Sequence, residues 1–251
     1  MFLRAIAGKI KPTKGYAHVF HIFLSALMPA LVYVFVRTNF VLPAVVIVLI
    51  TKWRIFAVRP RFWLAIIRAN AVDIMVGLST IVFMTHSHSA SIQLMWTVLY
   101  IIWQVAIKPL RNTLGVAGQA LIGQTYGLMA LYIAWPSSPL AVLVLGTWAV
   151  SYLSARHFLS SFEEPYVALY SHTWGYFAAA LAWISVHWLL FYGLISQPTL
   201  LLTVLGFGFG GLYYLQETDR LSVLLRRQIV FIMVAVIVVV MVFSEWGSKT
   251  L

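Results

Sequence analysis

A run of about 20 mostly apolar residues is long enough, as a helix, to cross roughly 30 Å of hydrocarbon. Nine such runs follow one another along this chain of 251 residues, at approximately 16–37, 39–57, 66–86, 90–108, 112–135, 138–160, 165–192, 198–216 and 225–245. Inside lipid every backbone N–H and C=O must be satisfied within the segment, and a helix does this alone. The reading is therefore an all-α polytopic transmembrane bundle of about nine spans, a single integral membrane domain over 1–251 with no soluble domain. Composition agrees. Charged residues are 9% of the chain and hydrophobic residues 62%, whereas a soluble domain carries about 25% charged residues. A soluble fold of this length lacks the charge to coat its surface. The same values exclude disordered, collagenous and disulfide-rich classes.

The second run is the weakest span. Its apolar stretch, Phe40 to Ile50, is short, Pro43 stands near its start, and Lys52 and Arg54 are expected to snorkel at its cytoplasmic end.

The formal net charge of +11 does not point to nucleic acid, because the basic residues lie between apolar runs and form no basic helix face. Their positions set an orientation instead. With the N-terminus cytoplasmic, the inner segments hold Arg4, Lys9, Lys11, Lys14, Lys52, Arg54, Arg59, Arg61, Arg68, Lys108, Arg111, Arg156, Arg220, Arg226 and Arg227. Only Arg37 and Lys249 fall outside, and the outer loops at 86–89, 136–139 and 196–198 carry no Lys, Arg, Asp or Glu. This is the positive-inside pattern, and it places the C-terminus outside. A cell membrane is implied, the plasma membrane or, in a bacterium, the inner membrane. The first run reads as an uncleaved anchor, since no small-x-small site follows it. Pro29 is expected to kink it. Residues 60–67 are expected to lie flat at the interface, anchored by Arg61 and Trp63. Cysteine is absent, so thiolate metal sites and disulfides are excluded.

Against an apolar background each polar group inside a span is conspicuous. Asp73 is the only acid placed inside one, and Asn70, Asp73 and Gly77 share a helix face. It is a candidate proton, cation or catalytic residue, or the buried partner of Arg68 or a neighbouring helix. In the seventh run His172, Tyr176, Ala179, Trp183 and His187 are spaced by four, three, four and four residues, within an arc of about 80°. His172 and His187 stand about 22 Å apart in two tiers, and they are the candidate metal ligands. Haem held by axial histidines would need a second helix offering a histidine in each tier, and no other span does.

Glu163 and Glu164 open the seventh span before Pro165, and Glu217 and Asp219 end the eighth. With Asp73 and His172 they are candidate catalytic residues. Carboxylates on the cytoplasmic side would hold a divalent metal while Arg59, Arg61, Arg226 and Arg227 hold phosphate. Helix-end charge compensation accounts for the same carboxylates without chemistry. The fifth and eighth spans are rich in glycine, including Gly123, Gly127, Gly206, Gly208, Gly210 and Gly211. Small residues let helices approach closely, within the chain or against a membrane protein partner. Gln119, Gln124, Tyr126, Tyr176, Tyr213 and Tyr214 are the residues from which a substrate path would be lined.

Three function classes are consistent with this pattern, beside the further alternative of a haem-binding redox protein; no cofactor is required by the sequence. The first is transport of a small molecule or lipid, alone or as the membrane subunit of a transport complex. The second is an enzyme acting on a lipid-linked substrate at the cytoplasmic face. The third is an assembly subunit without chemistry.

Overall fold

The computed structural model describes residues 15–52, 59–162, 164–187 and 189–243. Arg4, Lys9, Lys11, Lys14, Arg54, Glu163 and Lys249 lie outside them. The described residues form nine α-helices: α1 Gly15–Arg37, α2 Val41–Ile50, α3 Trp63–Thr85, α4 Ala90–Ile102, α5 Thr113–Ala134, α6 Leu140–Leu159, α7 Val167–Val186, α8 Gln197–Glu217 and α9 Val223–Val242. A π turn, Trp103–Ile107, continues α4, and single 3-10 turns precede α3 and follow α6. The fold is all-α. Counting those turns with their helices, five helices among the described residues are long and apolar enough to cross a membrane: Pro60–Thr85, Ala90–Ile107, Leu140–Phe162, Gln197–Glu217 and Val223–Val242. That content points to a membrane location.

The chain divides into two compact units at Gly115/Val116. In the first, α1 packs along α2 and α4, and α3 lies against both α2 and α4. Its interior is built from Val32 and Val36, Ala44 and Val48, Val72 and Val76, and Tyr100 and Trp103. Gly77 allows the close approach of α3 to its neighbours: a Cβ there would stand 2.6 Å from the Tyr100 hydroxyl and 2.7 Å from Val48 Cγ1. Lipid solvates apolar side chains as well as a helix neighbour does, so such packing, not transfer from water, holds membrane helices together.

The turn between α1 and α2 is a Schellman closure. Asn39 has φ +61°, Phe40 N–H donates to Phe35 O at 2.8 Å and Asn39 N–H to Val36 O at 3.0 Å. Asparagine tolerates the left-handed conformation that closes a helix this way. The second unit contains all of α5 after its first three residues, followed by α6 to α9. Helices α6 and α7 share the most extensive contact, through buried Ser151, Ser154, Ser171, Gly175, Ala178 and Ala182. Around it Leu128, Leu131, Tyr132, Leu143, Val186 and Leu202 form one cluster.

Three local expectations are corrected. Residues 63–67 are the first turns of α3, not a separate interfacial segment; before them Arg61 lies 4.6 Å over the Phe62 ring. The seventh helix ends at Val186, not near 192, and Phe191–Tyr192 pairs antiparallel with Ile195–Ser196 across a turn at Gly193, φ +65°. A two-residue hairpin turn needs positive φ, and glycine supplies it without strain. Finally, Lys52 does not snorkel to a helix end. Its side chain is buried against Asp73.

Candidate functional site

Asp73 is the centre of the most charged constellation in the interior of the first unit. It sits ten residues into α3. Its partners come from two other elements. Lys52, in the turn after α2, forms an ion pair with Oδ2, and Lys108, just past the π turn of α4, lies 2.7 Å from the same oxygen. The indole Nε1 of Trp103 donates to Oδ1 at 2.9 Å, and the Gln104 amide reaches the same oxygen at 3.4 Å. The Lys108 ammonium also donates to Gln104 Oε1 at 2.9 Å. The Lys52 and Asp73 side chains are 10% and 9% exposed, Lys108 39%, so the cluster is buried with one lysine at its edge.

The π turn explains the geometry. Lys108 N–H donates to Trp103 O at 2.8 Å, closing an i to i+5 loop. On a regular α-helix residues five apart point about 140° away from each other; widening the turn brings 103 and 108 to the same side. Single π turns inside α-helices are frequent at functional sites. The expected partner Arg68 stands exposed on α3. Asn70 turns to the Ile66 carbonyl at 2.9 Å.

The remaining candidates lie in the second unit. Glu164 accepts a hydrogen bond from the Tyr213 hydroxyl and one from Tyr166 N–H at 3.3 Å. Tyr213 is packed edge-on against Phe162 and Phe158, and Tyr214 against Phe162. Glu217 is exposed at the end of α8. Asp219 has φ +52° and closes α8: its N–H donates to Gln216 O at 3.1 Å and Arg220 N–H to Leu215 O at 2.9 Å, a second Schellman closure. Glu163 lies outside the described residues, among which no group of three His, Asp or Glu is placed to hold a metal ion.

His172 stacks among Tyr152, Trp148 and Tyr176, with ring centroids 4.6, 5.9 and 6.1 Å away. Its Nδ1 and the Trp148 Nε1 are buried with no hydrogen-bond partner among the described residues. Further along the expected stripe, Tyr176 and Trp183 are exposed and His187 turns its Nδ1 to Trp183 O at 2.8 Å. The buried face of α7 is its small-residue face; of the polar-aromatic stripe His172 packs against α6, while Tyr176 and Trp183 look outward.

The candidate path residues Gln119 and Gln124 tie helices together. Gln119 Oε1 is 2.9 Å from His157 Nε2. Gln124 donates to Leu202 O at 2.9 Å and accepts from Trp174 Nε1 at 3.0 Å, joining α5, α7 and α8. A Cβ at Gly206 would lie 2.9 Å from the Gln124 amide nitrogen, so glycine there makes room for the bond. Gly208 is filled by Met233 of α9, while Gly118 and Gly211 meet open space. Tyr126 of α5 is half-buried. Lys52, Trp103, Gln104 and Lys108 were not anticipated as site residues. Their signal was present in outline: two lysines at the ends of the second and fourth runs, on either side of the run that carries the only acid of that region.

No protein-family model, curated protein or solved structure matches the chain.

Proposed function

We propose that this chain is a multi-pass protein of the plasma or bacterial inner membrane. In this reading its N-terminus is cytoplasmic, its C-terminus lies outside, and it carries a small molecule or lipid, alone or as the membrane subunit of a larger transport complex. The observation that supports this reading is the buried Lys52–Asp73–Lys108 cluster at the tip of α2. Helix α2 has ten residues, about 15 Å at 1.5 Å per residue, half the hydrocarbon thickness. Lys52, two residues past its end, faces Asp73. Ionisable residues inside spans are costly and mark ion or substrate pathways, and short or broken helices ending at a charged site are a feature of carriers.

The test is reconstitution of purified protein into liposomes with a panel of metabolites and labelled lipids. At least one should move across the bilayer, and Asp73→Asn should slow it by an order of magnitude. A panel that does not move, together with cellular uptake unchanged by Asp73→Asn and Gln119→Ala, overturns the reading.

A further inference from the structure

Glu164, in the second unit, is a carboxylate without a cation. The chain holds 17 Lys and Arg against 6 Asp and Glu, yet among the described residues no Lys or Arg pairs with Glu164. It accepts two neutral hydrogen bonds instead, from the Tyr213 hydroxyl to Oε2 and from Tyr166 N–H to Oε1 at 3.3 Å. A carboxylate offers about four lone-pair sites, so acceptor capacity and a whole negative charge remain. Its surroundings are aromatic. The Tyr213 ring meets Phe162 and Phe158 with centroids 5.2 and 6.0 Å apart, Phe158 meets Phe162 at 5.0 Å, and Phe162 meets Tyr214 at 6.3 Å. All four contacts are edge-to-face. Such a contact leaves the faces of the edge-on ring uncovered, and the face is the negative part of an aromatic ring. Glu164 and the four rings are half-buried, so none is sealed from a ligand. Beside them α8 is bare: a Cβ at Gly210 would meet only the Phe158 ring, at 3.8 Å, and one at Gly211 would meet nothing within 4 Å.

We propose that this place binds an alkylated ammonium group, seated on the ring faces of Phe158, Phe162, Tyr213 and Tyr214 with its charge against Glu164. Aromatic residues near a membrane interface are ordinary; an unanswered carboxylate set among them, in so basic a chain, is not. The surroundings select the kind of cation. A divalent metal takes several oxygen ligands, and among the described residues no three His, Asp or Glu come together. A bare ammonium is a strongly hydrated point charge, whereas a methylated one spreads its charge over apolar groups and is drawn to ring faces. Position agrees with such a ligand. Glu164 lies in the segment that joins α6 to α7, and Tyr213 stands four residues before the end of α8, at helix ends where headgroups lie. The ammonium comes from a choline-type lipid headgroup or from a soluble quaternary amine; its chemistry at Glu164 and the rings is common to both.

This inference goes beyond the transport reading, uses none of the Asp73 cluster, and is tested without flux. Full-length protein is stripped of lipid in a detergent that carries no ammonium group. Sodium chloride is then exchanged for tetramethylammonium chloride at constant ionic strength, and phosphatidylcholine is titrated separately against phosphatidylglycerol. The unfolding midpoint is followed throughout. It should rise saturably with tetramethylammonium or phosphatidylcholine, and not with potassium chloride or phosphatidylglycerol. Glu164→Gln keeps an acceptor for Tyr213 but loses the charge, and should weaken the apparent Kd by about tenfold. Phe162→Leu should weaken it by about threefold, the share of one ring face. Tyr213→Phe keeps the ring and frees Oε2, so it should still bind the ammonium; a purely structural bond between Tyr213 and Glu164 gives no ligand response in any of these proteins. Trp135→Leu, which removes an exposed ring just past the end of α5, should leave the Kd unchanged. A response to phosphatidylcholine alone assigns the lipid headgroup, and a response to tetramethylammonium assigns the soluble cation. If Glu164→Gln does not fold, Phe162→Leu decides. No saturable rise with either ammonium ligand, an equal rise with potassium, or an unchanged Kd in a folded Glu164→Gln protein overturns the proposal. Flux without ammonium binding refutes this proposal and leaves the transport reading standing.

Discussion

Lys108 Nζ stands 2.7 Å from Asp73 Oδ2 because the turn that carries Lys108 is a π turn. The same turn presents Trp103 to the other carboxylate oxygen. One local irregularity in α4 thus turns a helix end into half of a charge cluster, and the short α2 supplies the rest through Lys52.

The two-to-one ratio of ammonium to carboxylate predicts an order of stabilities. Lys52→Met leaves Asp73 paired with Lys108, and it should cost no more than about 1 kcal/mol. Asp73→Asn takes the carboxylate from both lysines and should cost roughly 3–5 kcal/mol, the range for removing one partner of a buried pair. Unfolding in detergent measures both. Equal losses would show that Lys108 alone does not hold Asp73.

Gln124 and Gly206 should behave as one unit. Gly206→Val places methyl groups against the Gln124 amide, 2.9 Å from where its Cβ begins, and should break the bond to Leu202 O. The expected loss is about 1–2 kcal/mol, a lost buried hydrogen bond plus displaced packing. Gln124→Ala should remove part of that penalty, with a coupling of at least about 0.5 kcal/mol in a double-mutant cycle. Additive losses would contradict the geometry.

Asp219 separates a helix stop from a catalytic carboxylate. Its φ of +52° is one that glycine adopts freely. Asp219→Gly should therefore leave stability within about 0.5 kcal/mol, and Asp219→Ala should lose about 1 kcal/mol. Transport measured in the same preparations should be retained in the glycine variant. Loss of activity in a stable Asp219→Gly protein would restore the enzymatic reading of that end of α8.

A reporter fused after Leu251 should report the outside, and one inserted between Glu217 and Ser222 the cytoplasm. Orientation follows the Lys and Arg of short loops, and the inner loops keep their excess even with Lys52 and Lys108 withdrawn onto Asp73. A cytoplasmic reporter at both positions would refute the nine-span topology.

The helices were legible because an apolar run bounded by turn or charged residues states its own length. The runs at 112–135 and 198–216 appear as Thr113–Ala134 and Gln197–Glu217. Where the text of the sequence is uniformly apolar, the ends were not legible. Helix α7 stops at Val186, before the hairpin at 191–196, although residues 184–195 contain few polar side chains. The hairpin's signal was Gly193 alone, and backbone pairing between short apolar segments leaves no period to read.

The face of α3 that carries Asp73 and Gly77 followed from helical spacing alone, and both residues are buried. Which cations would meet Asp73 did not follow. Arg68, Lys52 and Lys108 lie 5, 21 and 35 residues from it along the chain, and side-chain reach makes the nearest the natural choice. Only the tertiary arrangement, a half-length α2 and a widened turn in α4, brings the two distant lysines in and leaves the near arginine outside. Helix formation in lipid is a local requirement of the backbone and is therefore written locally; the pairing of buried charges depends on which helices become neighbours, and that is decided by packing.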